Sequence, residues 1–380
     1  MYSVRVLSFL LCLTLAMTAV GCTQGETGSL SSLAVSSVSS GSSSEAEEIS
    51  SGPALGPYDH RVLRVLGSEA YWRLTGRSMT VVDDFGQNAV GYDHAAQGFF
   101  FNADCEGAVT LHLSLNADMH FLVRVDGESR DVRVNRLVQD PVIRLAEDLP
   151  RGRHSFELYR CNELQTSVAS LDAIELDGTL LPYEAPDRDL KMIFLGDSIT
   201  AGEGITSVKG EKRTFMHSDA TKTYAFLTGE ALNADFYLLA QSGMTTTSCY
   251  NYYDKISWKR STQATFDNAG EEVDVFVISL GTNRGKLTDE ELAAQIKALI
   301  ARVRGDHPSA KIVWCYGQLV NGSGGVIRAA VEELAVTDAN LYYYQFKVPN
   351  NASGNSHPTA EANARDAQEL TDFLRGTVLK

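Results

Sequence analysis

Between about Tyr58 and Tyr183 apolar residues recur at every second position in short runs. Val109 to Leu115, Phe121 to Val125 and His154 to Leu158 are the clearest. A period of two is that of a strand with one buried face. Asp126-Gly127, Arg151-Gly152 and Asp177-Gly178 punctuate the runs as turn signals. Many strands at this spacing, with little helical pattern and no fixed repeat, predict an all-β sandwich of roughly 130 residues.

After Glu184 to Asp187 the texture changes. Continuous apolar runs at Met192–Leu195, Phe236–Leu239, Val273–Leu280, Ile312–Tyr316 and Leu341–Phe346 read as buried parallel strands. Helical segments are predicted around Thr221–Leu232, Asp289–Arg304, Val326–Val336 and Thr359–Leu374. That alternation predicts a doubly wound α/β domain with a parallel sheet, whose active site lies outside the carboxyl ends of the strands.

Those ends carry chemistry. The first strand runs into Gly196-Asp197-Ser198, placing a serine on a strand-to-helix turn where backbone N–H groups converge. After the second comes Gln241-Ser242-Gly243, after the third Gly281-Thr282-Asn283, and after the fifth a loop ending in His357-Pro358. An ester carbonyl needs a nucleophile, a base that returns the proton to the leaving alcohol, and donors for the oxyanion. Two other histidines compete with His357. His307, before Pro308, joins a helix end to the amino end of a strand and is expected on the opposite edge of the sheet. His217 lies in the long loop after the first strand and is expected at the surface or the substrate rim.

Ser, Gly, Asn and His elements in this order, each at a strand's carboxyl end, resemble the SGNH hydrolases, also called the GDSL family. With a β-sandwich in front, the chain looks most like carbohydrate esterase family 2, whose members pair a jelly-roll domain with an SGNH domain. The resemblance implies Ser198 as nucleophile, His357 as base, and an oxyanion hole made by the N–H groups of Ser198 and Gly243 and the Asn283 amide. It implies removal of O-acetyl groups from xylan or glucomannan, with a preference for 6-O-acetyl sugars, and needs no metal or organic cofactor. Two positions depart from the commoner pattern. Gly354 stands where many members carry Asp three residues before the histidine, and Arg284 where Asp is usual. Without that Asp the resemblance implies a Ser-His dyad, oriented by the Gly354 carbonyl or the Asn355 side chain, with moderate turnover or an alkaline optimum. For Arg284 a helix-start or surface role stands beside a contact at the substrate rim. A GDSL lipase or thioesterase, and a non-catalytic carbohydrate-binding lipoprotein favoured by Gly354 and Arg284, are the alternatives. Sugar rings stack on aromatic faces, so Tyr252, Tyr253 and Gln318, close after strand ends, are candidate substrate contacts.

The first fifty-odd residues stand apart. Val6 to Val20 form an apolar stretch after Arg5, too short to span a bilayer and ending at Gly21-Cys22. This is an export signal. Small residues leading into Cys22 resemble a lipoprotein box, with Ala19 where Leu is commoner, which implies lipidation of that cysteine and a membrane anchor; ordinary signal cleavage nearby, with Cys22 incidental, is the alternative. From Ser29 to Ser51, 12 of 23 residues are Ser, a composition that cannot repay its ordering entropy and reads as a flexible tether. The expected organisation is therefore signal 1–22, tether 23–57, β-sandwich 58–184 and catalytic domain 185–380. The formal charge is −15; removing Arg5, Glu26, Glu45, Glu47 and Glu48 leaves 32 basic and 44 acidic residues, or −12, in the rest. An acidic body without a basic cluster argues against a nucleic-acid partner. Cys105, Cys161, Cys249 and Cys315 stand in no CxxC or zinc spacing, so no cysteine-built metal site is expected. Export permits disulfides, though Cys315, inside an apolar run, is read as a buried thiol.

Overall fold

The computed structural model describes residues 58–137, 141–162, 169–208, 211, 214–258, 264–319, 321–349 and 357–380. The expected signal, the tether, Cys22, Gly354 and Asn355 lie outside the described residues. From Gly56 to Lys380 the chain forms one compact unit.

Nine antiparallel strands come first: β1 (His60–Arg64), β2 (Trp72–Leu74), β3 (Met79–Val82), β4 (Asn88–Tyr92), β5 (Gly98–Leu115), β6 (Met119–Val125), β7 (Glu128–Val134), β8 (Val142–Arg160) and β9 (Ala169–Leu181). They form one curled sheet in the order β3-β4-β9-β5-β8-β6-β7, with β1 beside β9 and β2 beside β5. Alternation works as the sequence predicts: Val109, Leu111 and Leu113 of β5 join Phe121 and Val123 of β6 and Phe156 and Leu158 of β8 in a single core. Of the three turn signals only Asp126-Gly127 makes a hairpin, with φ of 51° and 87° joining β6 to β7. The other two sit inside β8 and β9. Gly152 faces Cys105 where the β5–β8 register shifts, and Gly178 faces the same residue from β9. A Cβ on Gly178 would lie 2.2 Å from the Asp104 carbonyl oxygen, so glycine here lets two strands close together rather than reverse.

Five parallel strands follow: β10 (Leu190–Gly196), β11 (Ala234–Ala240), β12 (Val275–Ser279), β13 (Lys311–Tyr316) and β14 (Leu341–Gln345), in the order β11-β10-β12-β13-β14. All five match the predicted runs. Their helices are α1 (Tyr224–Ala231), α2 (Thr246–Tyr252), α3 (Asp289–Asp306), α4 (Gly324–Ala335) and α5 (Ala360–Phe373). Successive side chains of β10 feed two cores. Ile193 and Leu195 pack with α2, α3 and α4; Met192 and Phe194 pack with α1 and α5. This order places a topological switch point between β10 and β12, because the chain leaves β10 first to one side and then to the other. Helix α2 is the element that periodicity missed: seven polar and aromatic residues, started by a Thr245–Ser248 capping box.

The antiparallel half braces the segment that precedes β12. Arg77 is fully buried and donates to the Lys255 carbonyl at 2.7 Å and to Asn268 Oδ1 at 2.6 Å, with its guanidinium 4.9 Å from the Phe266 ring centre. His94 meets the Ile256 carbonyl at 3.2 Å and the edge of Trp258; burial pushes its pKa down to about 4, so it is neutral at pH 7. Directional hydrogen bonds from buried Arg77 and His94 tie this segment to the antiparallel half.

Candidate active site

Gly196 ends β10 and the chain turns at once. The Asp197 carboxylate accepts from the Ile199 N–H at 3.0 Å, while the Asp197 and Ser198 carbonyls accept from Ala201 and Glu203 at 3.0 and 2.9 Å. This single helical turn fixes Ser198, which is 4% exposed. Its hydroxyl lies 2.8 Å from His357 Nε2, across 159 residues of sequence.

What brings the histidine there is the start of α5. Thr359 caps that helix by accepting from the Ala362 N–H, and buried Asn363 ties it down. The Asn363 amide donates to the Pro358 and Thr359 carbonyls at 3.4 and 3.0 Å and accepts from the Tyr224 N–H at 2.9 Å. His357 is thereby located against the start of α1.

Gly243 follows β11 with φ of +82°, a left-handed conformation that disfavours any side chain. Asn283 follows β12, and its amide donates to the Met244 carbonyl at 3.1 Å and to Asp197 Oδ2 at 3.4 Å. One side chain thus laces together the loops after β10, β11 and β12. Asn321 supports it from below, donating to the Gly281 carbonyl at 3.1 Å.

The competing histidines stand elsewhere. His307, buried at the end of α3, meets the Glu271 carbonyl at 3.2 Å on the amino-end side of β13, and burial lowers its pKa. His217 is held within its own loop by Thr214 and by Glu211 at 3.2 Å. Arg284 donates to the Leu287 carbonyl at 2.8 Å and pairs with Asp289, which is the helix-start role. Two of the three candidate sugar contacts need correction. Tyr253 is fully buried against Phe276 and Arg302, and Gln318 is buried, donating to Asp366 at 2.9 Å. Neither presents a face to a sugar. Tyr252, at the end of α2, remains 41% exposed.

Sequence reasoning also missed Glu203. The search for an acidic partner followed chain distance from His357 to position 354, whereas the turn after Ser198 carries the buried Glu203 carboxylate to 3.8 Å from His357 Nε2. A Glu between two glycines in that turn was the available signal. Ser198, Ile199, Gly202, Glu203, Ile205 and His357 line a crevice too tight to admit a water molecule. A roomier cleft of about 310 Å³, between Arg73, Tyr159 and Asp235, opens near the amino end of β11, on the other side of the sheet from this chemistry.

A nucleophile–base pair at the carboxyl edge of the sheet, beside the switch point, is what acyl transfer requires. Residues 194–373 match the GDSL-like Lipase/Acylhydrolase family. The GDSL-like segment opens inside β10 and closes at the end of α5, so Ser198, Gly243, Asn283 and His357 all fall within it. An acetylxylan esterase / glucomannan deacetylase of Cellvibrio japonicus is 27% identical over 242 residues, covering 59% of this chain and 67% of that protein. The cellulase/esterase CelE of Acetivibrio thermocellus is 27% identical over 265 residues, 61% of this chain but 31% of that protein. Among solved structures, a family two carbohydrate esterase from Cellvibrio japonicus superposes with a TM-score of 0.72 at 21% identity, covering 84% of this chain and 98% of its own. The resemblance to GDSL hydrolases, and to family 2 carbohydrate esterases in particular, is borne out.

Proposed function

We propose that this chain is a serine esterase that removes O-acetyl groups from plant cell-wall polysaccharide or its oligomers, of the acetylxylan and glucomannan type. The observation that carries the reading is the 2.8 Å contact between Ser198 Oγ and His357 Nε2 at the carboxyl edge of the parallel sheet. Ser198 attacks the acetyl carbon as its proton passes to His357. The oxyanion is met by the N–H groups of Ser198 and Gly243 and by the Asn283 amide, which gives up its long contact to Asp197. The imidazolium then protonates the sugar oxygen, the C–O bond breaks, and water, deprotonated by the same histidine, releases acetate from Ser198.

Glu203 enters as the buried carboxyl 3.8 Å from His357 Nε2, beside the atom that takes up the serine proton. Glu203→Gln is expected to lower kcat by about tenfold, or ~1.4 kcal/mol of barrier, with KM little changed. Equal kcat in the two proteins across pH 5 to 9 removes Glu203 from the mechanism.

The likeness to an acetylxylan esterase / glucomannan deacetylase favours a short acyl group. On p-nitrophenyl esters activity should fall steeply beyond acetyl or propionyl. Sustained activity on long acyl chains instead assigns a lipase or thioesterase. Acetate release resolved by ring position, on acetylated xylan and glucomannan, then identifies the substrate and tests the 6-O preference.

The rest of the reading concerns placement. The export signal, Cys22 and the serine-rich stretch support a lipoprotein anchored outside the cell, with residues 23–57 as tether. The antiparallel strands of residues 58–184 are read as a jelly-roll sandwich packed on the catalytic domain of residues 185–380; the long, bent β5 and β8 support this.

A further inference from the structure

Behind the turn that carries Ser198, three buried side chains from distant segments converge. His120 comes from β6, Cys161 follows β8, and Asp219 caps the short helical turn Ala220–Lys222 before α1. One ligand atom of each lies within 4.8 Å of the others. Backbone bonds hold the three segments together: the Cys161 N–H donates to the His120 carbonyl at 2.9 Å and the Ala220 N–H to the Cys161 carbonyl at 2.8 Å. His120 is 3% exposed, yet neither ring nitrogen makes a hydrogen bond among the described residues. Asp131 Oδ1 stands 3.4 Å from Nε2. Burying an imidazole whose ring nitrogens make no hydrogen bond costs on the order of 1–3 kcal/mol for each bond left unmade.

We propose that His120, Cys161 and Asp219 bind a zinc ion, with Asp131 or water as the fourth ligand. Nitrogen, thiolate and carboxylate form the mixed, borderline-soft set that suits zinc. Tetrahedral ligands at zinc distances lie roughly 3.3–3.8 Å apart, so side-chain adjustments on the order of 1 Å close the site. The carboxylate is already oriented by its neighbours: Asp219 Oδ1 accepts from the Thr221 N–H and hydroxyl at 3.1 and 2.6 Å, and Lys222 Nζ lies 2.7 Å from Oδ2. Spacing arguments could not find this site, because its single cysteine joins a histidine 41 residues before it and an aspartate 58 residues after it.

Such an ion would brace catalysis without touching substrate. The Asp219 N–H donates to the Gly202 carbonyl at 3.1 Å, and a Cβ on Gly202 would lie 2.5 Å from the Asp219 carbonyl oxygen. Gly202 belongs to the turn that begins at Ser198. The zinc would therefore clamp the antiparallel half to the back of that turn, and its loss should cost stability before it costs chemistry.

The full chain, purified reduced and dialysed against zinc, is expected to retain about one zinc per chain by elemental analysis. Chelation should lower Tm, zinc should restore it, and cobalt in its place should show the near-ultraviolet thiolate charge-transfer band. Cys161→Ser and His120→Gln should lose the metal, while Cys315→Ser, whose thiol lies in the parallel sheet on the Ile278 carbonyl, should keep it. Wild-type protein that holds no stoichiometric metal, with a Tm indifferent to zinc and chelator, overturns the proposal whether or not the variants fold. Metal retained equally by folded Cys161→Ser and His120→Gln overturns it as well.

Discussion

Replacing Ser198 by Ala should reduce acetyl-ester hydrolysis by roughly 10⁴- to 10⁶-fold while leaving the fold intact. On the proposed mechanism the hydroxyl is the group that forms the acyl-enzyme. His357→Ala should be of comparable size, because an unactivated serine hydroxyl is a weak nucleophile near neutral pH. The two residues act as a unit through their 2.8 Å contact, so the double variant should be no slower than either single one. Initial rates on p-nitrophenyl acetate, with thermal unfolding as the fold control, check this. Wild-type rates in Ser198→Ala would sink the esterase reading, and additive losses in the double variant would sink the pairing.

Asn283→Ala should lower kcat by about 10²- to 10³-fold, ~2.7–4 kcal/mol of transition-state stabilisation, with a small change in KM. The reason is differential binding: on the proposed mechanism the amide meets the oxyanion that develops in the transition state and has little to offer the neutral acetyl group. The same side chain also laces the Met244 loop to Asp197. A strut role makes a different prediction, a raised KM and a lowered Tm with kcat nearly intact. Steady-state kinetics together with unfolding therefore separate the two. Asn283→Asp sharpens the comparison, since a carboxylate facing an oxyanion should be at least as harmful to kcat as alanine.

Local pattern located the parallel strands because each is buried on both faces and so reads as an unbroken apolar run. It located four of the five helices: α3, α4 and α5 each pack one stripe, while α1 is buried nearly all round. In α3 the stripe is Leu292, Ile296, Leu299, Ile300 and Val303. Helix α2 escaped because two turns are too short to set a period and its first residues are β-branched or small. Arg151-Gly152 and Asp177-Gly178 misled because glycine serves two purposes, reversing a chain and letting two backbones approach. Which applies depends on what lies opposite.

Sequence alone determined the two-part architecture, the excess of acidic charge, and the four chemical elements after the first, second, third and fifth parallel strands. Those properties are written in periodicity and order along the chain, and parallel crossovers bring carboxyl ends to one edge. Only the tertiary structure decided which aromatic stays exposed and which acid stands beside His357. Tyr252 and Tyr253 are adjacent in sequence yet one is exposed and the other is core, since a helix turns neighbours to different sides. Glu203 reaches His357, and His120 reaches Cys161 and Asp219, through packing of segments that no spacing rule connects.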